Sequence, residues 1–318
     1  MKKQIIYSCC IAVVSAIPMF GQHTDVINSN RPGESMTAFS VGKKVFQLES
    51  GIYYHQEDHR TLEYDATGFG LNLDVRFGYF LEQLEFIVNS QFQMDKYNAV
   101  DFNESRSGFR NLNLGAKYLV YDPFKNYEEK PNLYSWKANQ KFKWRRLIPA
   151  VAVYGGAQFS IGDTYFLPDQ PSVSPRAMVI TQQHITNQTV FVTNIFANQI
   201  GTDFSQFGFI ATLTLGFNDK WSGFWEFKGI KSDYYSDSII TAGAAYLLMP
   251  NFQLDASISK NFKDTPDLFY GGIGFSWRID DKHEPVRLED KGSGPEEKRA
   301  GKKKDKKKRK DAIELENP

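Results

Sequence analysis

Between Gly68 and Met94 the side chains alternate with a regularity that leaves few folds open. Phe69, Leu71, Leu73, Val75, Phe77 and Tyr79 are apolar, while Gly70, Asn72, Asp74, Arg76 and Gly78 between them are small, polar or charged. Strict period two marks a strand with two unlike faces. The pattern resumes with Leu84, Phe86, Val88, Ser90, Phe92 and Met94 on one face against Glu85, Ile87, Asn89, Gln91 and Gln93 on the other. With a turn at Leu81-Glu82, Tyr79 faces Leu84, Phe77 faces Phe86, Leu71 faces Phe92 and Phe69 faces Met94. A slip of one residue would exchange the faces. The stretch is a long hairpin, greasy on one side and wet on the other.

Two settings produce such a ribbon: a soluble sheet over a core, or a barrel whose greasy face meets lipid and whose wet face lines a lumen. After the first twenty residues no apolar run approaches the roughly 20 residues of a membrane helix. Aromatic residues make up 15% of the 318, with 26 Phe and 16 Tyr, as barrels with interfacial girdles require. Residues 1-21 read as a secretory signal: Lys2-Lys3, then an apolar run from Ile5 to Phe20. Both cysteines, Cys9 and Cys10, fall inside it, so a mature chain has neither disulfide nor thiolate metal site. Export, absence of cysteine and alternation together point to a bacterial outer membrane. The expected fold is all-β, an antiparallel up-and-down transmembrane β-barrel of about 12 strands over residues 44-281. An N-terminal periplasmic segment, 22-43, precedes it.

That segment and the first strand carry a resemblance. Arg31-Pro32, Glu34-Ser35 and Gly42 are followed by Gln47-Leu48-Glu49 and Gly51. This resembles a family of outer-membrane transporters named for the phenol-degradation MetA pathway, whose members open with an Arg-Pro element, an acidic or Ser/Thr patch, and a Gly-led strand carrying Gln-Leu-Glu-x-Gly. Weaker similarity reaches the last strand and includes Glu226 and Leu254-Asp255. Gly33 stands where the family commonly has an acidic residue, and a basic tail extends past the barrel. The resemblance implies uptake of apolar or aromatic compounds.

Along the chain, alternation predicts a first strand over Lys44 to His55 and a fourth over Phe109 to Tyr121, with Leu112, Leu114, Ala116 and Tyr118 outward and Asn111, Asn113 and Lys117 inward. Asp95 to Ser107 reads as a polar loop, and Phe166 to Arg176, with Pro168, Pro171 and Pro175, as a proline-rich one. Turns at Asn218-Asp219-Lys220 and Met249-Pro250-Asn251 pair Leu213 with Trp225, Ala211 with Phe227, Leu248 with Phe252 and Tyr246 with Leu254. The last strand runs from Leu268 to Ile279. An even strand number puts both barrel ends on the periplasmic side. The 122-146 connection, with a net charge of about +4, falls on that side too and offers a docking surface.

Parity lists the charges facing the lumen: Glu49, Asp74, Arg76, Glu85, Lys117, Glu226, Lys228, Asp255 and Arg278. Glu85 faces Gly78, which puts Arg76 on its diagonal. Two readings stand: a network of ions that fills and stiffens the lumen, or a polar path for a solute. Arg31, Pro32 and Glu34 belong to a segment that could enter the lumen from below as a plug. His55 and His59 flank an expected outer loop beside Glu57 and Asp58, better read as solvated than as metal ligands. No Gly-x-Ser-x-Gly or His-Glu-x-x-His is present, and no enzyme, metal or cofactor is expected.

The C-terminal residues 282-318 read as a disordered basic periplasmic tail. Eight basic residues (Lys302, Lys303, Lys304, Lys306, Lys307, Lys308, Arg309 and Lys310) stand there against one Asp305. The functional expectation is a passive outer-membrane channel for small, apolar or aromatic solutes. The competing one is a structural or anchoring barrel whose tail binds an envelope component such as cell-wall polymer, with nucleic acid excluded by the compartment. Partners are thus outer-membrane lipid, a small solute and that envelope component.

Overall fold

In the computed structural model the described residues are 26–125, 144–162, 164–186 and 188–280. The signal, the basic tail and most of the 122-146 connection lie outside them. Twelve strands close into one antiparallel barrel, each paired with its sequence neighbours and the first with the last. They are β1 (Val45–His59), β2 (Tyr64–Gly78), β3 (Leu84–Ala99), β4 (Asn103–Tyr121), β5 (Ala150–Phe159), β6 (Val173–His184), β7 (Thr189–Asn198), β8 (Gln206–Gly216), β9 (Trp221–Ser232), β10 (Ser236–Met249), β11 (Phe252–Asn261) and β12 (Asp267–Asp280). A short 3-10 turn, Trp144–Leu147, precedes β5. Up-and-down order places the start of β1 and the close of β12 at one end, here the terminus end; the other is the far end.

The usual order of burial is inverted, and this selects the membrane over a soluble sheet. Phe77, Phe86, Val88, Leu114, Trp225 and Ile273 are exposed on the outside, whereas Gln47, Arg76, Glu85, Asn113 and Lys117 are fully buried within. In water such an exterior would aggregate; against hydrocarbon it is the favourable face. The strands run 10–19 residues, enough for the roughly 9–11 that span a bilayer when tilted. Ile52, Leu71 and Ile273 form one outward row across β2, β1 and β12. Ile273→Arg is expected to destabilise the lipid-embedded barrel by about 2–4 kcal/mol. Leu62→Arg, at an exposed turn of the far end, should change little. Urea titration in lipid vesicles reads both.

The central pairings are Phe77 with Phe86, Leu71 with Phe92, Phe69 with Met94, Leu213 with Trp225, Ala211 with Phe227 and Tyr246 with Leu254. Several boundaries differ from the sequence reading. The β2–β3 ladder stops at Phe77–Phe86, leaving Tyr79 outside it, stacked on Phe77. A bulge at Leu248 makes Met249, not Leu248, the partner of Phe252. The expected loop from Asp95 to Ser107 is almost all ladder, interrupted only at residues 100–102, and β1 continues past His55 to His59. The reason is common to both: beyond the lipid both faces of a strand meet water, so polar residues stop alternating although the hydrogen bonding goes on.

Pro175 lies inside β6, paired with Ala157, rather than in a loop. Here β6 outruns β7, whose last pair is Ala197 with Ala177. The Pro175 carbonyl faces that side and accepts the Ile200 N–H at 3.1 Å. Its missing N–H therefore leaves the β5–β6 ladder intact.

Candidate functional site

The lumen is occupied by the chain itself. Residues 26–43 enter at the terminus end, where Ile27 N donates to Pro250 O. They turn near Arg31–Ser35 and return beside Glu82 and Glu85 before β1 begins. The segment forms no strand, so its backbone groups need partners from elsewhere. The barrel wall supplies them from side chains. Glu49 accepts from the N–H groups of Asn30 and Arg31 and from the Ser29 hydroxyl. Glu226 accepts from the N–H of Glu34 at 2.9 Å and of Ser35 at 3.2 Å, and from the Thr212 hydroxyl. Asn194 brackets Met36, accepting its N–H at 2.6 Å and donating to its carbonyl at 2.9 Å. Gln182 accepts from Ala38 N–H and Glu85 from Val41 N–H.

The carbonyls are met by bases. Arg76 donates to Asn28 O at 2.7 Å, and Lys117 to Thr37 O and Phe39 O at 2.7 and 3.1 Å. These bases are held by the acids that bind the plug's N–H groups. Arg76 bridges Glu49 and Glu85 at 3.2 and 3.1 Å, and Lys117 reaches Glu85 at 2.7 Å, all four side chains being fully buried. Desolvating an ion costs several kcal/mol unless it is paired and hydrogen-bonded; here each ion has both an opposite charge and a backbone group of the plug.

The plug tip is latched by a second set. The Arg31 guanidinium forks onto Asp255, Nε to Oδ2 at 3.2 Å and Nη2 to Oδ1 at 3.0 Å. It lies over Gly51 and Gly274, which pair across β1 and β12; a Cβ at either would overlap it. Residues of the Arg-Pro and Gln-Leu-Glu-x-Gly elements thus meet at one point, with Asp255 between strands. Lys228 bonds Glu34 at 2.5 Å.

Two parity-listed residues stand apart. Asp74 accepts from Asn89 and faces open lumen, and Arg278 lies beside Asp280 near the terminus end, 3.4 Å away. Pro32 lies between two chambers of the lumen. His55 is not solvated: it is buried, within 3.4 Å of Asp95 and bonded to Gln93. Among the described residues no cluster suited to a metal ion occurs.

Beyond the plug, at the far end, lies a chamber of about 700 Å³ whose lining includes Tyr53, Tyr165, Tyr235, Tyr270, Arg110 and Arg176. Below it, between plug and the β7–β11 wall, is a smaller one of about 170 Å³ lined by Ile27, Val192, Thr212, Phe224 and Ala245. Asn30, Arg31, Pro32 and Gly33 line both, so these four residues are the partition.

Parity missed several of these groups. Gln91 pairs with Asn111 and Phe92 with Phe109, leaving Arg110 as an extra residue in a bulge. The bulge reverses the inward parity of β4 above it, bringing Arg106 onto Asp95 at 2.8 Å and Arg110 onto Gln93 at 2.9 Å. Arg176 sat in the expected proline loop, and the neutral Asn194 and Gln182 carry no signal that separates a plug ligand from any other lumen amide.

Comparison with known proteins accords with this architecture. An outer membrane channel of Pseudomonas putida F1 is similar in structure, with TM-score 0.51 and 11% identity over 79% of this chain and 100% of that one. The NanC porin gives 0.47 and 10% over 73% and 100%, and the CymD monoaromatic hydrocarbon channel 0.41 and 8% over 76% and 90%. At 11% identity the likeness to the Pseudomonas putida channel concerns the fold alone. No curated protein sequence matches. Residues 29–279 match the sequence family described as "Putative MetA-pathway of phenol degradation". With that match spanning the plug from Ser29 onward and all but the last residue of the barrel, the chain belongs to this family and is an outer-membrane β-barrel.

Proposed function

We propose that the protein is a passive channel for small solutes with an apolar or aromatic body, closed at rest by its own N-terminal segment. The observation that carries this reading is the partition: two chambers, of about 700 and 170 Å³, share the wall formed by Asn30–Gly33. The larger falls in the range of small-molecule sites, and its tyrosines offer flat, amphipathic surface. The even strand number brings both chain ends of the barrel to the terminus end, which supports placing that end in the periplasm. A solute would enter the upper chamber from outside and leave when the partition moves.

The test is conductance in planar bilayers. Full-length protein should show rare, brief openings, whereas protein lacking residues 26–40 should conduct steadily. If the truncated barrel is refolded, as judged by its gel mobility before and after heating, and still passes no ions, the channel reading fails.

A further inference from the structure

The charges lining the far chamber can be followed one by one. Glu34 is held by Lys228, Glu57 accepts from the Tyr64 hydroxyl, Asp74 accepts from Asn89, and Glu226 is capped by the plug. Arg31 forks onto Asp255. Two guanidiniums remain without a carboxylate in hydrogen-bond contact among the described residues. The hydrogen bond of Arg110 goes to the neutral amide oxygen of Gln93. Arg176 lies over the ring of Tyr154, 5.8 Å from its centroid, and its buried Nε has no hydrogen-bond partner. Both face the same chamber.

Such an arrangement is costly unless something else uses it. A guanidinium is a fixed fork of donors suited to a carboxylate, and a buried donor left unbonded forfeits free energy. Arg110 is moreover turned inward by a β-bulge that breaks the strand's parity, a feature that re-aims a side chain at some local expense. Beside it is an aromatic wall: Tyr270 is 6.3 Å from His55 and 6.2 Å from Tyr53, centroid to centroid. Tyr53 is itself fixed by hydrogen bonds with Gln91 and Gln93. Cationic forks beside rigid rings fit a flat molecule with a negative edge.

We propose that the far chamber binds a small aromatic carboxylate, its carboxylate taken by Arg110 and Arg176 and its ring laid against Tyr53 and Tyr270. The site narrows the solute class of the channel reading and rests on it for its purpose, but occupancy needs no flux. Neutral aromatics of the same size lack the charge that the two arginines would engage, and small inorganic anions lack the ring.

Equilibrium titration calorimetry on the full-length protein in detergent micelles tests this with benzoate, benzyl alcohol and inorganic phosphate. Benzoate is expected to bind at least about tenfold more tightly than either of the others. Arg110→Gln and Arg176→Gln should each weaken benzoate by about tenfold, leaving benzyl alcohol unchanged. Should a glutamine variant fail to refold, Arg110→Lys and Arg176→Lys keep the charge but lose the fork, and a smaller loss is expected. Benzoate binding as tight to a protein carrying both Arg110→Gln and Arg176→Gln as to the wild type, or no binding to the wild type, overturns the proposal. Phosphate binding as tight as benzoate would reduce the site to a general anion site and overturn the aromatic assignment. Binding without conductance would instead count against the channel and leave the site standing.

Discussion

Arg76→Met is expected to lower the stability of the refolded barrel by about 3–5 kcal/mol, the loss typical when one partner of a buried ion cluster is removed. Arg76 has no solvent exposure and donates to Glu85 through Nε and Nη2, to Glu49 through Nη1, and to the plug at Asn28 O. Without it two buried carboxylates would share only Lys117, whose ammonium reaches Glu85. Urea unfolding from lipid vesicles, followed by tryptophan fluorescence, gives the number. The combination Arg76→Met, Glu49→Gln should recover much of the loss. A glutamine oxygen still accepts the N–H group of Arg31, while Glu85 keeps its partner Lys117 and the uncompensated charge is gone. A single-variant loss under about 1 kcal/mol would mean that water reaches this cluster and that it contributes little to the barrel.

Arg31→Ala and Asp255→Ala are each expected to raise the open probability of the channel by about a hundredfold. The fork between them is buried and bidentate, and about 3 kcal/mol withdrawn from the plugged state corresponds to roughly two decades in an equilibrium constant. The two substitutions remove the same contact, so the double variant should open no more often than either single one. Gly51→Val should act in the same direction by filling the space the guanidinium occupies. Single-channel recording separates this from a structural defect: the conductance of each opening should stay that of the truncated barrel while its frequency rises. Recordings that match the wild type would show that the latch does not govern closure.

Both results turn on charges whose direction was legible from parity but whose work was not. Arg76, Glu85, Lys117, Glu226 and Asp255 each stand between two apolar neighbours and Glu49 beside Leu48, which sends them inward. A stiffening network and a solute path then look alike in the sequence. The structure shows them hydrogen-bonded to the plug, a use that joins Arg31 to Asp255 and Glu34 to Glu226 across about two hundred residues. No local pattern encodes such a meeting, because the plug has no secondary-structure period and its partners are side chains scattered over many strands.

What the sequence determined by itself was the wall. Period two, held in register across each hairpin, dictates which residues meet hydrocarbon and which meet the lumen, since a strand has only two faces and a lipid tolerates only one kind. Tertiary structure decided the contents of that wall: the path of residues 26–43, the extent of strands above the lipid, and the bulge that turns Arg110 inward. These depend on closure of the barrel, which brings distant strands around a common space, and on one extra residue in β4 whose effect on side-chain direction appears only when its pairing with β3 is known.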